Sequence, residues 1–123
     1  MKRSKIQVGQ WAEELACAYL CQQGLQLIER NYRCRLGEID LVMLDLDFLA
    51  VVEVRYRSNE RFGSSLESVD LRKQRKIVAV TDYYLQTHQA AIQNYRCRFD
   101  IVAINGPQIP PRVQWIKDAF WGE

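Results

Sequence analysis

Asp40 and Glu53 each interrupt a run that is otherwise apolar: Asp40 lies within Gly37-Glu-Ile-Asp-Leu-Val42, and Glu53 within Ala50-Val-Val-Glu-Val-Arg55. Burying an unpaired carboxylate is so unfavourable that such a residue needs a metal ion, a cation or a raised pKa to offset its lost hydration. Residues two apart on a strand share a face, so Glu53 and Arg55 point the same way. If a hairpin turns at Leu46 and Asp47, Leu44 faces Leu49, Val42 faces Val51 and Asp40 faces Glu53. Directly opposed like charges destabilise a sheet, so that register asks for a divalent cation, a shared proton or Arg55 as compensation. Hard oxygen ligands without a histidine cluster favour magnesium or manganese over zinc. A slip of one residue would send the two side chains to opposite faces and abolish the site. A purely structural arrangement competes, with Glu53 paired to Arg55 or Arg57 on an exposed face and Asp40 paired to Arg33 or Arg35.

The remaining reactive side chains offer less. His88 is the sole histidine and reads as a plain helix or loop residue. Cys17 and Cys21 are one helical turn apart, Cys34 and Cys97 are distant in sequence, and none forms a Cys-x-x-Cys pair. Buried or half-buried free thiols are therefore expected, not disulfides or a zinc site.

The net charge is only +2, but it is unevenly spread. Arg30, Arg33 and Arg35 precede one acidic segment, Arg55, Arg57 and Arg61 follow another, and Arg72, Lys73, Arg75 and Lys76 form a third cluster. A polyanion held beside a cation-binding pocket needs that mixture, although ordinary solvated charge also produces it. The third cluster opens a helix, against the macrodipole. It spans about 160° at about 100° per residue, so one face can meet phosphates. Gln74 lies among these cations and is a weaker candidate contact.

The elements that must position these residues follow from periodicity. Val8 to Leu20 has apolar residues at helical spacing, stopped by Gly24. Leu25 to Ile28 is a short strand candidate, and Asn31 to Gly37 is polar and basic. Ile39 to Leu44 and Phe48 to Tyr56 are β-branched runs that read as the central hairpin. Arg57 to Leu66 has loop composition. Ser68 or Asp70 can cap a second helix reaching about Thr87. Phe99 to Ile104 is another strand, Gly106-Pro107 and Pro110-Pro111 mark a connector, and Val113 to Trp121 closes the chain, with Trp115, Phe120 and Trp121 expected in the core. Asn31-Tyr-Arg-Cys-Arg35 recurs as Asn94-Tyr-Arg-Cys-Arg98. The match is shorter than the ~20 residues of a structural repeat and reads as coincidence.

A chain of 123 residues, 48% hydrophobic and 26% charged, suits one domain over residues 1–123. Met-Lys-Arg-Ser-Lys has the charge of a signal-peptide start, but Glu13 and Glu14 break the apolar stretch that should follow. No run approaches the ~18 apolar residues of a spanning helix, so a cytoplasmic protein without a membrane partner is expected.

Asp40 followed by Glu53-Val-Arg55 resembles the Asp, Glu-x-Lys signature of the restriction-endonuclease-like nuclease superfamily. The resemblance widens to nearly the whole chain. Gly9-Gln-Trp-Ala-Glu13, Arg30-Asn-Tyr-Arg33, Gly37-Glu-Ile-Asp-Leu-Val42, Val52-Glu-Val-Arg-Tyr-Arg57, Lys73 and Arg98-Phe-Asp-Ile-Val102 resemble the YraN-like family of small uncharacterised bacterial proteins. That likeness implies an α/β fold with a central mixed sheet flanked by helices, similar to archaeal Holliday-junction resolvases. It also implies a glutamate on the first helix, here Glu13, joining Asp40 and Glu53 around magnesium; periodicity alone leaves Glu13 and Glu14 both at the edge of the apolar stripe. Glu13, Asp40, Glu53 and Arg55 are then the expected catalytic set, with Glu13, Asp40 and Glu53 as metal ligands. Arg57, Arg72, Lys73, Gln74 and Lys76 are expected to contact nucleic acid, and Lys73, which matches a family position, is expected nearest the site.

The chain departs from the pattern at Ala12, where glycine is common, and at Arg55, where lysine is usual. Arginine supplies charge and donors but, with a pKa above ~12, cannot act as a base. The expected activity is metal-dependent hydrolysis of structured or branched DNA, with magnesium or manganese as cofactor. The alternatives are a non-catalytic nucleic-acid-binding or adaptor protein on the same fold, which Arg55 favours, and a protein-interaction module. A homodimer suits junction cleavage, but no heptad or unusually apolar face identifies an interface.

Overall fold

A computed structural model describes residues 4–58, 69–88, 94–106 and 109–121. Helix α1 (Lys5–Gln22) starts earlier than the apolar periodicity suggests because of a capping box: Ser4 Oγ accepts the Gln7 N–H, and Gln7 Oε1 accepts the Ser4 N–H. Such a box satisfies first-turn amides that have no partner within the helix. Gly24, at φ +99°, ends the helix and turns the chain into the first strand.

Five strands follow: β1 (Gln26–Cys34), β2 (Gly37–Asp45), β3 (Phe48–Arg57), β4 (Arg96–Asn105) and β5 (Arg112–Phe120). Helix α2 (Leu71–Thr87) lies between β3 and β4 in sequence. Spatial order equals chain order, β1-β2-β3-β4-β5, and among the described strands only β3 and β4 run parallel. A parallel pair needs a crossover, and α2 belongs to it. The expected single-domain α/β architecture with a mixed sheet and flanking helices is present.

Strand alternation builds a separate core on each side of the sheet. Leu49 and Val51 of β3 pack with Ile77, Val80 and Tyr84 of α2. Ala50, Val52 and Val54 pack with Ala12, Ala16 and Leu20 of α1. The alanines at helical spacing let α1 sit close to the sheet, over the fully buried Leu41 and Met43. Truncating Leu41 to alanine would open a cavity at this contact, costing about 2–5 kcal/mol. Thr81, buried on α2, satisfies its hydroxyl by donating to Ile77 O at 2.7 Å.

Several sequence expectations need correction. The first strand continues through the polar Asn31–Cys34 segment, because as an edge strand it can leave alternate side chains in solvent. Strand β4 begins at Arg96, not Phe99, and two of its polar residues, Arg98 and Asp100, are buried. Trp121 is 75% exposed and Trp115 half-buried, so only Phe120 of the closing aromatics joins the core. The four cysteines are free, but Cys21 and Cys97 are exposed rather than buried. Of the two cap candidates, Asp70 accepts the Lys73 N–H, whereas Ser68 and most of the expected loop after Arg57 lie outside the described residues. No described helix is long and apolar enough to cross a membrane.

The repeated pentapeptide has no shared role. Arg35 is exposed in the β1–β2 turn, while Arg98 is buried and donates to both Asp45 and Asp100.

Candidate acidic site

The central hairpin has the register that brings the two carboxylates together. Leu44 pairs with Leu49, Val42 with Val51 and Leu41 with Val52, around a turn that places Leu46 at φ +57°. Pairing ends there, one step before Asp40 and Glu53. Asp40 Oδ2 instead accepts the Val54 N–H at 2.9 Å, so a side chain replaces the ladder where the strands part.

Asp40 also marks a break in the face alternation of β2. Ile39 and Val42 both pack on the α2 side, although three residues apart, while Leu41 packs on the α1 side. On the neighbouring strand the pairs Arg30–Leu41 and Tyr32–Ile39 leave Asn31 opposite Asp40, and Asn31 has φ +53°. Asparagine tolerates that left-handed conformation better than most residues. Its side chain lies near Glu13 of α1 and lowers that carboxyl's pKa.

Glu13, Glu38 and Asp40 therefore converge, each offering an oxygen, with those oxygens within 4.8 Å of one another. Glu53, 4% exposed, lies beside Asp40 but outside that oxygen cluster, close enough for the Asp40 carboxyl to raise its pKa. Burial, then the neighbouring Asp40 charge, pushes Glu53 up to about 8, opposed by Lys73 and Arg55. Burial and Asp40 likewise push Glu13 to about 7. Asp40 itself is raised, chiefly by burial, against the lowering effect of the Val54 hydrogen bond. Glu13 Oε1 is buried with no hydrogen-bond partner among the described residues.

Of the expected cations, Arg55 and Lys73 lie beside Glu53. Arg55 Nη1 and Lys73 Nζ lie 3.7 and 3.8 Å from the same Glu53 oxygen. Arg33 pairs with Glu38, not with Asp40. Arg57 is exposed at the end of β3, and Arg72 and Lys76 are exposed on α2. Gln74 donates its amide to Val69 O at 3.2 Å and, with Arg75, lines a groove of about 950 Å³ that also includes Asp118 and Trp121 of the β5 side. Within the basic start of α2, Lys73 lies beside Glu53 and Arg75 lines this groove.

Sequence reasoning missed Glu38 and Asn31. Glu38 had a usable signal, since it stands two residues before Asp40 on one strand. Asn31 had none, because its contribution depends on a left-handed backbone in the middle of a strand.

The family profile described as "Uncharacterised protein family UPF0102" matches residues 12–104, a span containing all of these site residues. Among similar proteins, a UPF0102 protein of Pseudomonas syringae pv. syringae is 49% identical over 122 residues, covering 98% of each chain. One from Pseudomonas putida is 50% identical over 118 residues, covering 95% of this chain and 94% of its own. One from Nitrosococcus oceani is 47% identical over 112 residues, covering 91% and 90%.

Proposed function

The chain belongs to the UPF0102 family, and we propose that it is a metal-dependent nuclease that hydrolyses phosphodiester bonds in structured or branched DNA, on a restriction-endonuclease-like fold. The observation that carries this reading is the meeting of carboxylates from α1, β2 and β3 around Asp40, beside two cations. Glu13, Asp40 and Glu53 come from the elements that the resemblance to junction resolvases implies.

The residues suit a divalent cation of the magnesium or manganese type. The donors are all hard carboxylate oxygens. One of them, Glu13 Oε1, is buried without a partner. Oxygens around one magnesium at ~2.1 Å stand ~3.0 Å apart when adjacent and ~4.2 Å when opposite, so Glu13, Glu38 and Asp40, whose oxygens lie within 4.8 Å of one another, would draw inward by up to about 2 Å around an ion. Elevated carboxyl pKa values are the expected mark of a clustered acidic site awaiting positive charge. When bound, such an ion would acidify a water and neutralise charge building on a phosphate.

The chain's own residues would do the rest. Val54 N–H fixes the Asp40 carboxylate, and Arg55 and Lys73 stand beside Glu53 and add positive charge to the site. Arg57, Arg72 and Lys76 are exposed and free to meet the backbone of the nucleic acid.

Incubating the purified protein with labelled four-way junction, duplex, single-stranded DNA and RNA, in magnesium or manganese, tests the reading. Metal-dependent cutting lost in Asp40→Asn supports it; no cutting of any substrate defeats it. Arg55 favours one second reading, a nucleic-acid-binding or adaptor protein without turnover. Salt-sensitive but metal-independent DNA binding would select that.

A further inference from the structure

Two cations from different elements approach Glu53 Oε1, and they are not equivalent. Arg55 shares the β3 face with Glu53 and has a further interaction within the chain. Lys73 reaches in from α2, and its side chain is 37% exposed. Neither cation closes to the about 2.7–2.9 Å of a charge-assisted N–H to carboxylate bond, Arg55 standing at 3.7 Å and Lys73 at 3.8 Å, but Arg55 is engaged elsewhere as well, whereas Lys73 Nζ makes no hydrogen bond among the described residues. A lysine serving only as the counterion of a buried carboxylate would be expected to close that gap. This one leaves its three donors to a further acceptor.

Its placement is nevertheless well determined. Asp70 caps α2 by accepting the Lys73 N–H at 2.9 Å, Gln74 ties the same turn to Val69 O, and Ile77, one turn on, is buried in the core. The backbone of Lys73 is anchored while its ammonium, a compact charge on a flexible stem, overhangs the acidic site.

We propose that Lys73, and not Arg55, is the cation that contacts the phosphate of nucleic acid bound at this site, with Arg55 acting as a positioning residue that holds Glu53. The assignment rests on the nuclease reading. It transfers to a helix the role that the resemblance would place two residues after Glu53, and it removes Lys73 from the general backbone-binding surface.

The test uses the full chain and a fluorescently labelled four-way DNA junction, with cleavage followed in manganese and binding in calcium. Lys73→Gln is expected to slow cleavage by about 10²–10³-fold, the usual loss on removing one stabilising donor, at an unchanged melting temperature. Lys73→Arg should recover binding, and ethylammonium should restore part of the turnover lost in Lys73→Ala, which repair of a folding defect would not explain. Lys117→Gln, on β5, provides the same change of charge elsewhere. Cleavage by Lys73→Gln equal to that by Lys117→Gln overturns the assignment. If the wild type binds the junction without cutting it, the cleavage reading fails alone; the assignment then stands if Lys73→Gln weakens binding at least tenfold more than Lys117→Gln, and falls if the two are equal. A wild type that neither binds nor cuts overturns both.

Discussion

Asp40 Oδ2 accepts the Val54 N–H at 2.9 Å at the point where β2 and β3 cease to pair. The same carboxyl therefore closes the hairpin and faces the acidic site. Asparagine at position 40 retains an oxygen for Val54, so Asp40→Asn should stay folded. Asp40→Leu leaves the Val54 N–H without its acceptor and should cost about 1–3 kcal/mol more, read as the difference between the two variants in urea unfolding. Equal stability would show that this bond does not hold the strands.

Glu53 and Glu13 make the metal-free protein sensitive to pH. Both carboxyls have folded-state pKa values raised from 4.5, to about 8 and about 7. Between those limits the folded state holds more protons than the unfolded state, so stability falls as pH rises and levels off above about pH 8. Melting temperatures in chelator from pH 5 to 9 should show that decline, and Glu53→Gln, with nothing to ionise at position 53, should make it shallower, leaving the share due to Glu13. A rise across the same range would contradict the assigned environment of these groups.

Glu38 shares its oxygen cluster with Glu13 and Asp40, yet it is also paired with Arg33 on an exposed edge. An exposed pair of this kind contributes little stability, about 0–1 kcal/mol. Glu38→Gln should accordingly leave the melting temperature nearly unchanged while weakening manganese affinity in calorimetry. Unaltered affinity would remove Glu38 from the ligand set.

How much of this was readable in advance can be judged residue by residue. The hairpin register followed from alternation and a two-residue turn, because a slip would have exposed the apolar run of β3. Glu53 and Asp40 stood out as charges in apolar strands. The direction of Lys73 did not show in its charge pattern, since a basic run at a helix start looks the same whether it meets solvent or a buried carboxylate; only its match to a family position placed it nearest the site. Likewise, Asn31 acts through a local backbone reversal that leaves no periodic trace, and the extension of β1 was hidden by the polar composition that an edge strand permits. The burial of Arg98 and Asp100 was equally illegible, because it depends on partners distant in sequence.

That second charged cluster is structural. Asp100, fully buried, accepts from Arg98 Nε and Nη2, Trp115 Nε1 and the Asp118 N–H. Asp100→Ala would leave the buried Arg98 with Asp45 alone and take the acceptor from Trp115 Nε1 and the Asp118 N–H, and should cost about 3–5 kcal/mol, with metal affinity of the folded fraction unchanged. Denaturant unfolding measures the first and calorimetry the second. A loss below about 1 kcal/mol would mean that solvent replaces these bonds.

The central claim is that the carboxylates around Asp40 hold a divalent cation, and calorimetric titration of magnesium and manganese into the wild type, Asp40→Asn and Glu53→Gln tests it most directly. The account predicts binding by the wild type that strengthens as pH rises through about 7 to 8, where Glu13 and Glu53 lose their protons, and its loss in both variants while they remain folded. Failure of the wild type to bind either metal at pH 8, with junction DNA present, would contradict it.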